Sequence, residues 1–173
     1  IQVIDEGASQ QVRMTAALAV ARQEPVDPAP AIAAIARLAD ALRADPRRPD
    51  LAHFALGRLK AADALRPMLT DPDPVFRCHA AAALCACAEE RDVDSVVGVL
   101  EGLSEAWQQR VVLKGMGSLS AMLVPATPTL LKLVGNPALT SSVIGALQSS
   151  GQYSILLPFA DHPDEPAQAA VCL

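Results

Sequence analysis

Apolar residues recur along the chain at intervals of three and four positions, the spacing that places them on one face of an α-helix. In AIAAIARLADALRA, five apolar residues share such a face: Ile32, Ile35, Leu38, Ala39 and Leu42. The charged residues Arg37, Asp40 and Arg43 lie off it. We predict an amphipathic helix that ends in DPRRPD, because proline cannot continue a helix, whereas Pro49-Asp50 suits the start of the next one.

The same alternation of short apolar helices and turns continues to the end of the chain. The predicted helix pairs are ADALRPML with VFRCHAAAALCACA, DSVVGVLEGL with EAWQQRVVLKGMGSL, TPTLLKLV with ALTSSVIGALQS, and YSILLPFA with AQAAVCL. No stretch alternates with a period of two for long enough to predict a strand. The pattern therefore predicts an all-α fold.

The helix pairs repeat at irregular intervals. An apolar residue recurs near the middle or end of each second helix, at Val20, Leu59, Leu84, Met116, Leu147 and Leu173. In three joints a proline, Pro74, Pro137 or Pro163, lies ten residues before the corresponding leucine. We interpret this as internal repetition within one domain spanning residues 1–173, with approximate units 1–24, 29–62, 63–92, 93–122, 126–151 and 152–173.

The stretch LTDPDPVFRCHAAAAL resembles the HEAT repeat, in which a first helix meets an Asp-Pro turn and a second helix opens with an apolar-Arg step. Phe76, Arg77, Ala80 and Leu84 match that pattern. FADHPDEPAQAAVCL is similar, with Ala167-Gln168 in place of the apolar-Arg step. The resemblance implies a right-handed α-α superhelix, or solenoid, of about five stacked HEAT-like hairpins.

Two other stretches depart from the HEAT pattern. In GNPALTSSVIGAL, Gly135 stands at the expected Asp position, and Ser141 or Ser142 stands at the expected Arg position. SQQVRMTAALAVA resembles a second helix, opened by Val12-Arg13, whose first helix is missing.

The predicted structural positions of the repeat are Asp71, Pro74, Arg77, Leu84, Arg110 and Leu147. Pro72 and Pro74 end the first helix, and Asp71 or Asp73 is expected to accept hydrogen bonds from amides at the start of the second. Arg77 and Arg110 occupy similar places in successive second helices, so we expect each to pair with Asp71 or with a neighbouring turn.

Composition indicates closely packed helices and a limited range of partners. Hydrophobic residues make up 51% of the 173 residues but aromatic residues only 3%, so the core must consist of small aliphatic side chains. A net charge of −5 provides no general attraction to nucleic acid or to an anionic membrane. We therefore expect a protein partner of unknown identity, with neither nucleic acid nor membrane involved, and leave the oligomeric state open.

Cysteine usage and the chain ends indicate where such a protein works. Four cysteines without a signal-like opening favour a reducing compartment, so we predict a cytoplasmic protein. Richness in Ala, Arg and Pro suggests a GC-rich genome, so we also predict a bacterial source. No stretch is predicted to span a membrane, because the longest uncharged run, residues 133–160, is interrupted by proline and polar residues. The absence of an initial Met and the apolar ending suggest a piece of a longer protein.

The cysteine- and histidine-rich stretch 69–88 is the main candidate for chemistry. A zinc site would use Cys78, His79, Cys85 and Cys87, but Cys85 and Cys87 project about 200° apart on a helix and cannot easily converge on one ion. Adjacent Cys78 and His79 do not converge as a nucleophilic pair either. We interpret the thiols as small apolar core residues and expect His79 to face solvent.

Other motifs add no catalytic, cofactor or metal site to the prediction. His53, His79 and His162 are far apart in sequence, and none forms a His-Glu pair of the kind that HEAT-like di-iron hydroxylases repeat. GMGSLS lacks the third glycine of a dinucleotide loop, and EERDVD is typical of a solvated turn. HEAT-like DNA glycosylases use a basic concave face, which an acidic chain does not favour.

Charge is distributed unevenly along the chain. Only Lys114, Lys132, Asp161, Asp164 and Glu165, of 33 charged residues, follow residue 110. This scarcity of charged residues indicates either packing against further repeats or a partner-binding surface within residues 111–157. We expect a non-catalytic scaffold or adaptor that loses its partner when cut near residue 110. The alternative is an accessory domain or subunit of an enzyme system, such as the bilin-lyase-like relatives.

Overall fold

The computed structural model describes residues 1–6, 9–23, 25–43, 49–149 and 151. Its α-helices are α1 (Gln2–Glu6), α2 (Gln10–Gln23), α3 (Ala29–Ala41), α4 (Pro49–Arg58), α5 (Ala62–Leu65), α6 (Pro74–Leu84), α7 (Val93–Glu101), α8 (Ala106–Met116), α9 (Thr127–Val134) and α10 (Thr140–Ser149). Three 3₁₀ segments, Arg66–Thr70, Glu90–Asp92 and Gly117–Ala126, lie between them. The described residues contain no strand, which confirms the all-α prediction.

Apolar spacing and proline positions predicted most helix bounds well. Helix α9 coincides with TPTLLKLV, and α4 begins at Pro49 as expected. In α3, Ile35, Leu38 and Ala39 are fully buried, whereas Ile32 is only partly covered. The last predicted pair, YSILLPFA with AQAAVCL, lies outside the described residues.

The structure differs from the sequence prediction where helices tighten or stop. ADALRPML divides into α5 and the 3₁₀ segment Arg66–Thr70, in which Pro67 lies near the start. Helix α6 ends at Leu84, and Cys85 to Cys87 lie in a turn rather than continuing the helix. A one-turn helix, α1, precedes α2, so the expectation of a missing first helix was wrong.

The chain divides into two compact units, a first unit Ile1–Cys87 and a second unit Ala88–Leu173. In the first unit, α4 packs between α2 and α6, and α3 also packs on α4. In the second unit, α10 packs against α8, α9 and the 3₁₀ segment Gly117–Ala126. Successive second helices are thus direct neighbours within each unit, whereas the predicted superhelix of the whole chain stays a prediction.

Close backbone approach explains one glycine in the first unit. A Cβ placed on Gly57 of α4 would lie 2.6 Å from the backbone oxygen of Ala83 in α6. Such a contact is too short for any side chain, so α4 and α6 can approach this closely only with glycine at position 57. Ala80 and Ala81 of α6 are also fully buried, which is consistent with the predicted use of small residues between helices.

The segment Ala106–Val134 meets the length and composition criteria for a membrane span, with a mean hydropathy of 1.2. In the structure it consists of α8, the 3₁₀ segment Gly117–Ala126 and α9. The backbone leaves helical geometry at Ser120, with φ 49° and ψ −130°, and Pro125 follows inside the 3₁₀ segment. A spanning helix needs about 20 consecutive residues, whereas α8 has 11.

Candidate interaction surface

The Asp-Pro turn before α6 is held by its own carboxylates. Asp73 Oδ1 accepts a hydrogen bond from the amide of Val75 at 2.9 Å, which caps α6. Asp71 Oδ1 accepts one from the amide of Asp73, also at 2.9 Å. Asp73 thus fulfils the expectation that Asp71 or Asp73 accepts from an amide at the start of the second helix, whose first residue is Pro74, and Asp71 holds the turn just before it.

Arg77 pairs with this turn, as predicted from the sequence. Its Nη1 donates to the carbonyl oxygen of Asp71 at 2.6 Å and to that of Pro72 at 3.1 Å. Arg77 therefore fastens the body of α6 to the turn that precedes it.

A second cation, which no local sequence signal predicted, lies at the same turn. Arg43, just after α3, forms an ion pair with Asp71, whose side chain is only 7% exposed. The Arg43 guanidinium also lies over the Phe76 ring, 4.4 Å from its centroid. Arg43 thus joins the end of α3 to the turn before α6, 28 residues away.

Arg110 does not repeat the arrangement of Arg77, and the predicted equivalence was wrong. Gln109 takes that place in α8, because its Nε2 donates to the carbonyl oxygen of Leu103, six residues earlier, at 2.9 Å. Arg110 is exposed, and its side chain makes no hydrogen bond or ion pair within the part of the chain that the structure describes. Arg110 is therefore available to a ligand rather than committed to a turn.

Helix α10 makes a bond of the same kind as α6 and α8. Thr140 Oγ1 of α10 donates to the carbonyl oxygen of Val134, again six residues earlier, at 2.8 Å. Asn136 Oδ1 accepts from the amide of Ala138 at 3.0 Å, as Asp73 does from Val75. Thr140 and Asn136 thus hold the Arg and Asp positions that the sequence analysis assigned to Ser141 or Ser142 and to Gly135.

The three second helices share one pattern of burial. Phe76 of α6, Gln108 of α8 and Leu139 before α10 are buried immediately before the residue that makes the turn bond. Eight residues further on, the predicted repeat positions Leu84, Met116 and Leu147 are all fully buried. The same bond and the same apolar register therefore recur in α6, α8 and α10.

Of the three thiols in the cysteine- and histidine-rich stretch 69–88, those of Cys78 and Cys85 are part of the core, whereas Cys87 is half-buried. Cys78 Sγ donates to the carbonyl oxygen of Val75, and Cys85 Sγ to that of Ala81, at 3.1 and 3.2 Å. Burial raises the pKa of each thiol from its ordinary value of 9.0 to about 12. Both thiols therefore stay protonated near neutral pH, which is the opposite of what a nucleophile requires.

Two histidines that are distant in sequence lie close together in the first unit. His53 of α4 is completely buried, and its ring centroid lies 4.4 Å from that of Phe76 and 6.4 Å from that of His79. His79 is therefore only partly exposed, stacked beside His53 rather than directed wholly into solvent. No group of three or more His, Cys, Asp or Glu side chains in the described ranges is placed to hold a metal ion.

A groove of about 340 Å³ lies between α8 and α10 in the second unit. The residues that line it are Arg110, Leu113, Lys114, Ser142, Gly145, Ala146 and Ser149. Leu113 and Ala146 are buried, whereas Arg110 and Lys114 are exposed. The groove therefore combines an apolar base with two cationic side chains at its edge.

The formal charges on α8, α9, α10 and the segments between them are all positive. Residues 106–149 include Arg110, Lys114 and Lys132 but no Asp or Glu. Trp107, 42% exposed, lies three residues before Arg110 on α8, and Leu131 of α9 is also partly exposed. Over its described residues, the charge-poor region found in the sequence thus carries positive charges and no negative ones.

No family model matches the chain, and no curated protein matches it either.

Proposed function

We propose that this protein is a non-catalytic scaffold or adaptor that binds a partner protein through an α-solenoid of HEAT-like repeats. The main support for the proposal is that the same hydrogen bond and the same buried apolar position recur in α6, α8 and α10. In each, a side chain donates to the carbonyl oxygen six residues earlier, and an apolar residue two turns later is buried. Repeated hairpins of this kind gain stability by stacking on their neighbours and thereby create extended binding surfaces.

The chemistry of the described residues supports binding rather than catalysis. Cys78 and Cys85 have raised pKa values and donate to backbone carbonyls of α6. Asp71, Asp73 and Arg77 are committed to holding a turn. These cysteine, aspartate and arginine side chains therefore have structural roles.

The partner is proposed to bind the second unit. Trp107 of this unit is exposed. Aromatic and arginine side chains are the types that most often dominate the binding energy at protein interfaces. Arg110 lies on the same helix, three residues away, without a side-chain partner in the described ranges. We propose a cytoplasmic protein–protein interaction that requires neither nucleic acid nor membrane.

The alternative, an accessory domain of an enzyme system, receives no specific support. A thiol of lowered pKa at Cys78 would favour it, and the pKa of that thiol is raised instead. A coloured preparation of the protein would still favour this alternative over the scaffold.

Affinity capture followed by reconstitution tests the proposal. Tagged protein is used to recover partners for identification by mass spectrometry, and the recovered partner is then purified and titrated against the full chain. We expect saturable binding that is lost from a chain ending at Cys87. This cut respects the boundary between the units, whereas a cut near residue 110 would divide α8. Full binding by the shortened chain would reject the second unit as the binding surface, and failure of every recovered protein to bind directly would reject the scaffold.

A further inference from the structure

We propose that the groove between α8 and α10 binds a carboxylate-rich segment of the partner protein, with an apolar side chain of that segment on the groove base. The proposal rests on the scaffold function and specifies the chemistry of the partner. It is carried by the geometry of the groove and by the charge of the surface around it.

Helix spacing builds the cationic edge of the groove. Arg110 and Lys114 are four residues apart on α8, so their side chains lie on the same face, one turn apart. Neither side chain makes an ion pair with a carboxylate in the described ranges. Two adjacent carboxylates, or one carboxylate beside a backbone carbonyl, would complement this pair of cations.

Small residues on α10 leave the space for a ligand. A Cβ placed on Gly145 would have no atom within 4 Å, so the groove is open at the middle of its α10 wall. Ala146 and Leu113 form an apolar base, and Ser142 and Ser149 add hydroxyl groups along the wall. The groove therefore suits a side chain such as leucine, with hydrogen-bonding groups beside it.

The charge distribution selects an acidic ligand. The whole chain has a net charge of −5, but residues 106–149 carry three cations and no carboxylate. The overall charge would favour a cationic partner, whereas an acidic segment is attracted to this particular surface. Trp107, one turn from Arg110, supplies an exposed aromatic ring beside the groove.

A peptide fits the groove better than a nucleic acid does. Nucleic acid binding draws most of its affinity from many phosphate contacts, and single strands also stack on aromatic residues. The groove offers two cations, and residues 106–149 contain a single aromatic ring, that of Trp107, which is too few for a run of stacked bases. Its volume of about 340 Å³ is at the lower end of the range for ligand sites, and its apolar base suits a side chain rather than a phosphate backbone.

Selection from a displayed library of random 12-residue peptides tests the proposal with the full-length protein. We expect the selected peptides to carry Asp or Glu next to a large apolar residue and to change the fluorescence of Trp107, the only tryptophan. The double variant Arg110→Gln/Lys114→Gln is expected to bind them about tenfold more weakly. Gly145→Leu, which fills the groove, is expected to abolish binding without loss of helix content, because leucine is a better helix former than glycine.

The variant Lys132→Gln is the matched control, because it removes an exposed cation of the same unit that does not line the groove. It is expected to bind within twofold of the wild type. Selected peptides without acidic enrichment, equal binding by the double variant, or no selection at all would overturn the proposal. Displacement of the peptides by a single-stranded oligonucleotide at equal concentration would also overturn it, in favour of a general polyanion site. Each of these results leaves the scaffold function open, because the captured partner could bind the second unit elsewhere.

Discussion

At the scale of single residues, the absence of a side chain at Gly57 sets how closely α4 and α6 approach. A Cβ at this position would lie 2.6 Å from the Ala83 carbonyl oxygen, which is backbone and cannot turn aside. We predict that Gly57→Ala lowers the free energy of unfolding by about 1–3 kcal/mol, because overpacking outweighs the better helix propensity of alanine. Urea denaturation measures the change.

Gly98 is the matched control for Gly57. It lies within α7, and a Cβ there would have no atom within 4 Å. Gly98→Ala should raise the free energy of unfolding by up to about 1 kcal/mol, the difference in helix propensity. Equal effects of the two substitutions would contradict the close approach of α4 and α6.

Gln108 is a polar residue at a position that is apolar in the other second helices. It is 4% exposed, and its Oε1 has no hydrogen-bond partner among the described residues. Phe76 and Leu139 occupy the equivalent positions of the other two second helices. We predict that Gln108→Leu raises the free energy of unfolding by about 1–2 kcal/mol in thermal or urea denaturation, because it removes a buried, unsatisfied acceptor. A loss of stability would indicate that Gln108 holds a bond that this account lacks.

The thiols of Cys78 and Cys85 should be unreactive in the folded protein. Their pKa values of about 12 leave very little thiolate at pH 8, and both side chains are buried. We predict slow alkylation of these two residues and faster alkylation of the half-buried Cys87, as measured by peptide mass spectrometry of samples quenched over time. Equal labelling of all three residues in the unfolded protein is the control, and rapid labelling of native Cys78 would contradict the account.

The same pKa shifts give stability a defined dependence on pH. Unfolded thiols ionise near 9.0, whereas the folded thiols remain protonated to about 12, so the folded state binds more protons between these values. Their contribution to stability is therefore complete below pH 9 and is lost as the pH rises towards 12. Replacing both cysteines with alanine should flatten this part of the stability profile, and an unchanged slope would argue against the raised pKa values.

At the scale of structural elements, the attachment of each second helix to its preceding turn is the repeated feature. Arg77→Ala removes the hydrogen bonds from α6 to the carbonyl oxygens of Asp71 and Pro72. We predict a loss of about 1–2 kcal/mol in the free energy of unfolding. Arg110→Ala should change it by less than about 0.5 kcal/mol, because Arg110 is exposed and Gln109 makes the equivalent bond. Chemical denaturation compares the two variants, and equal losses would restore the original equivalence of the two arginines.

The elements show which information the sequence carries and which it lacks. Apolar spacing and proline positions predicted α3, α4 and α9 because these signals act within a few residues. They did not reveal the 3₁₀ segment Gly117–Ala126, since GMGSL offers no strong stop signal and the break occurs at Ser120. Residue type pointed to Arg110, whereas the bond is made by Gln109, which lies seven residues before Met116 as Arg77 lies seven residues before Leu84.

Contacts between residues that are distant in the chain also could not be predicted from the sequence. The Arg43–Asp71 ion pair joins residues 28 positions apart, and the proximity of His53 to His79 depends on the packing of α4 against α6. The groove at Arg110 and Lys114 likewise requires α10 to lie beside α8. The sequence did indicate the charge-poor region that includes this groove, because charge is read directly from residue types.

At the scale of the whole molecule, the cysteine- and histidine-rich stretch and the proposed binding groove lie in different compact units. The first unit contains the Cys-His stretch and the arginine–aspartate turn, all of them explained by packing and hydrogen bonding. The second unit contains Trp107 and the groove, whose two cations have no carboxylate partner among the described residues. We therefore propose that the partner binds the second unit and that the thiols and imidazoles of the first unit have a structural role.

Hydrogen–deuterium exchange of the full chain, alone and in complex with the captured and purified partner, tests this placement most directly. We predict slower exchange on binding in α8 and α10, with exchange in α4 and α6 unchanged, because the partner covers the groove and not the first unit. Protection confined to residues 1–87, or no protection at saturating partner, would contradict the account.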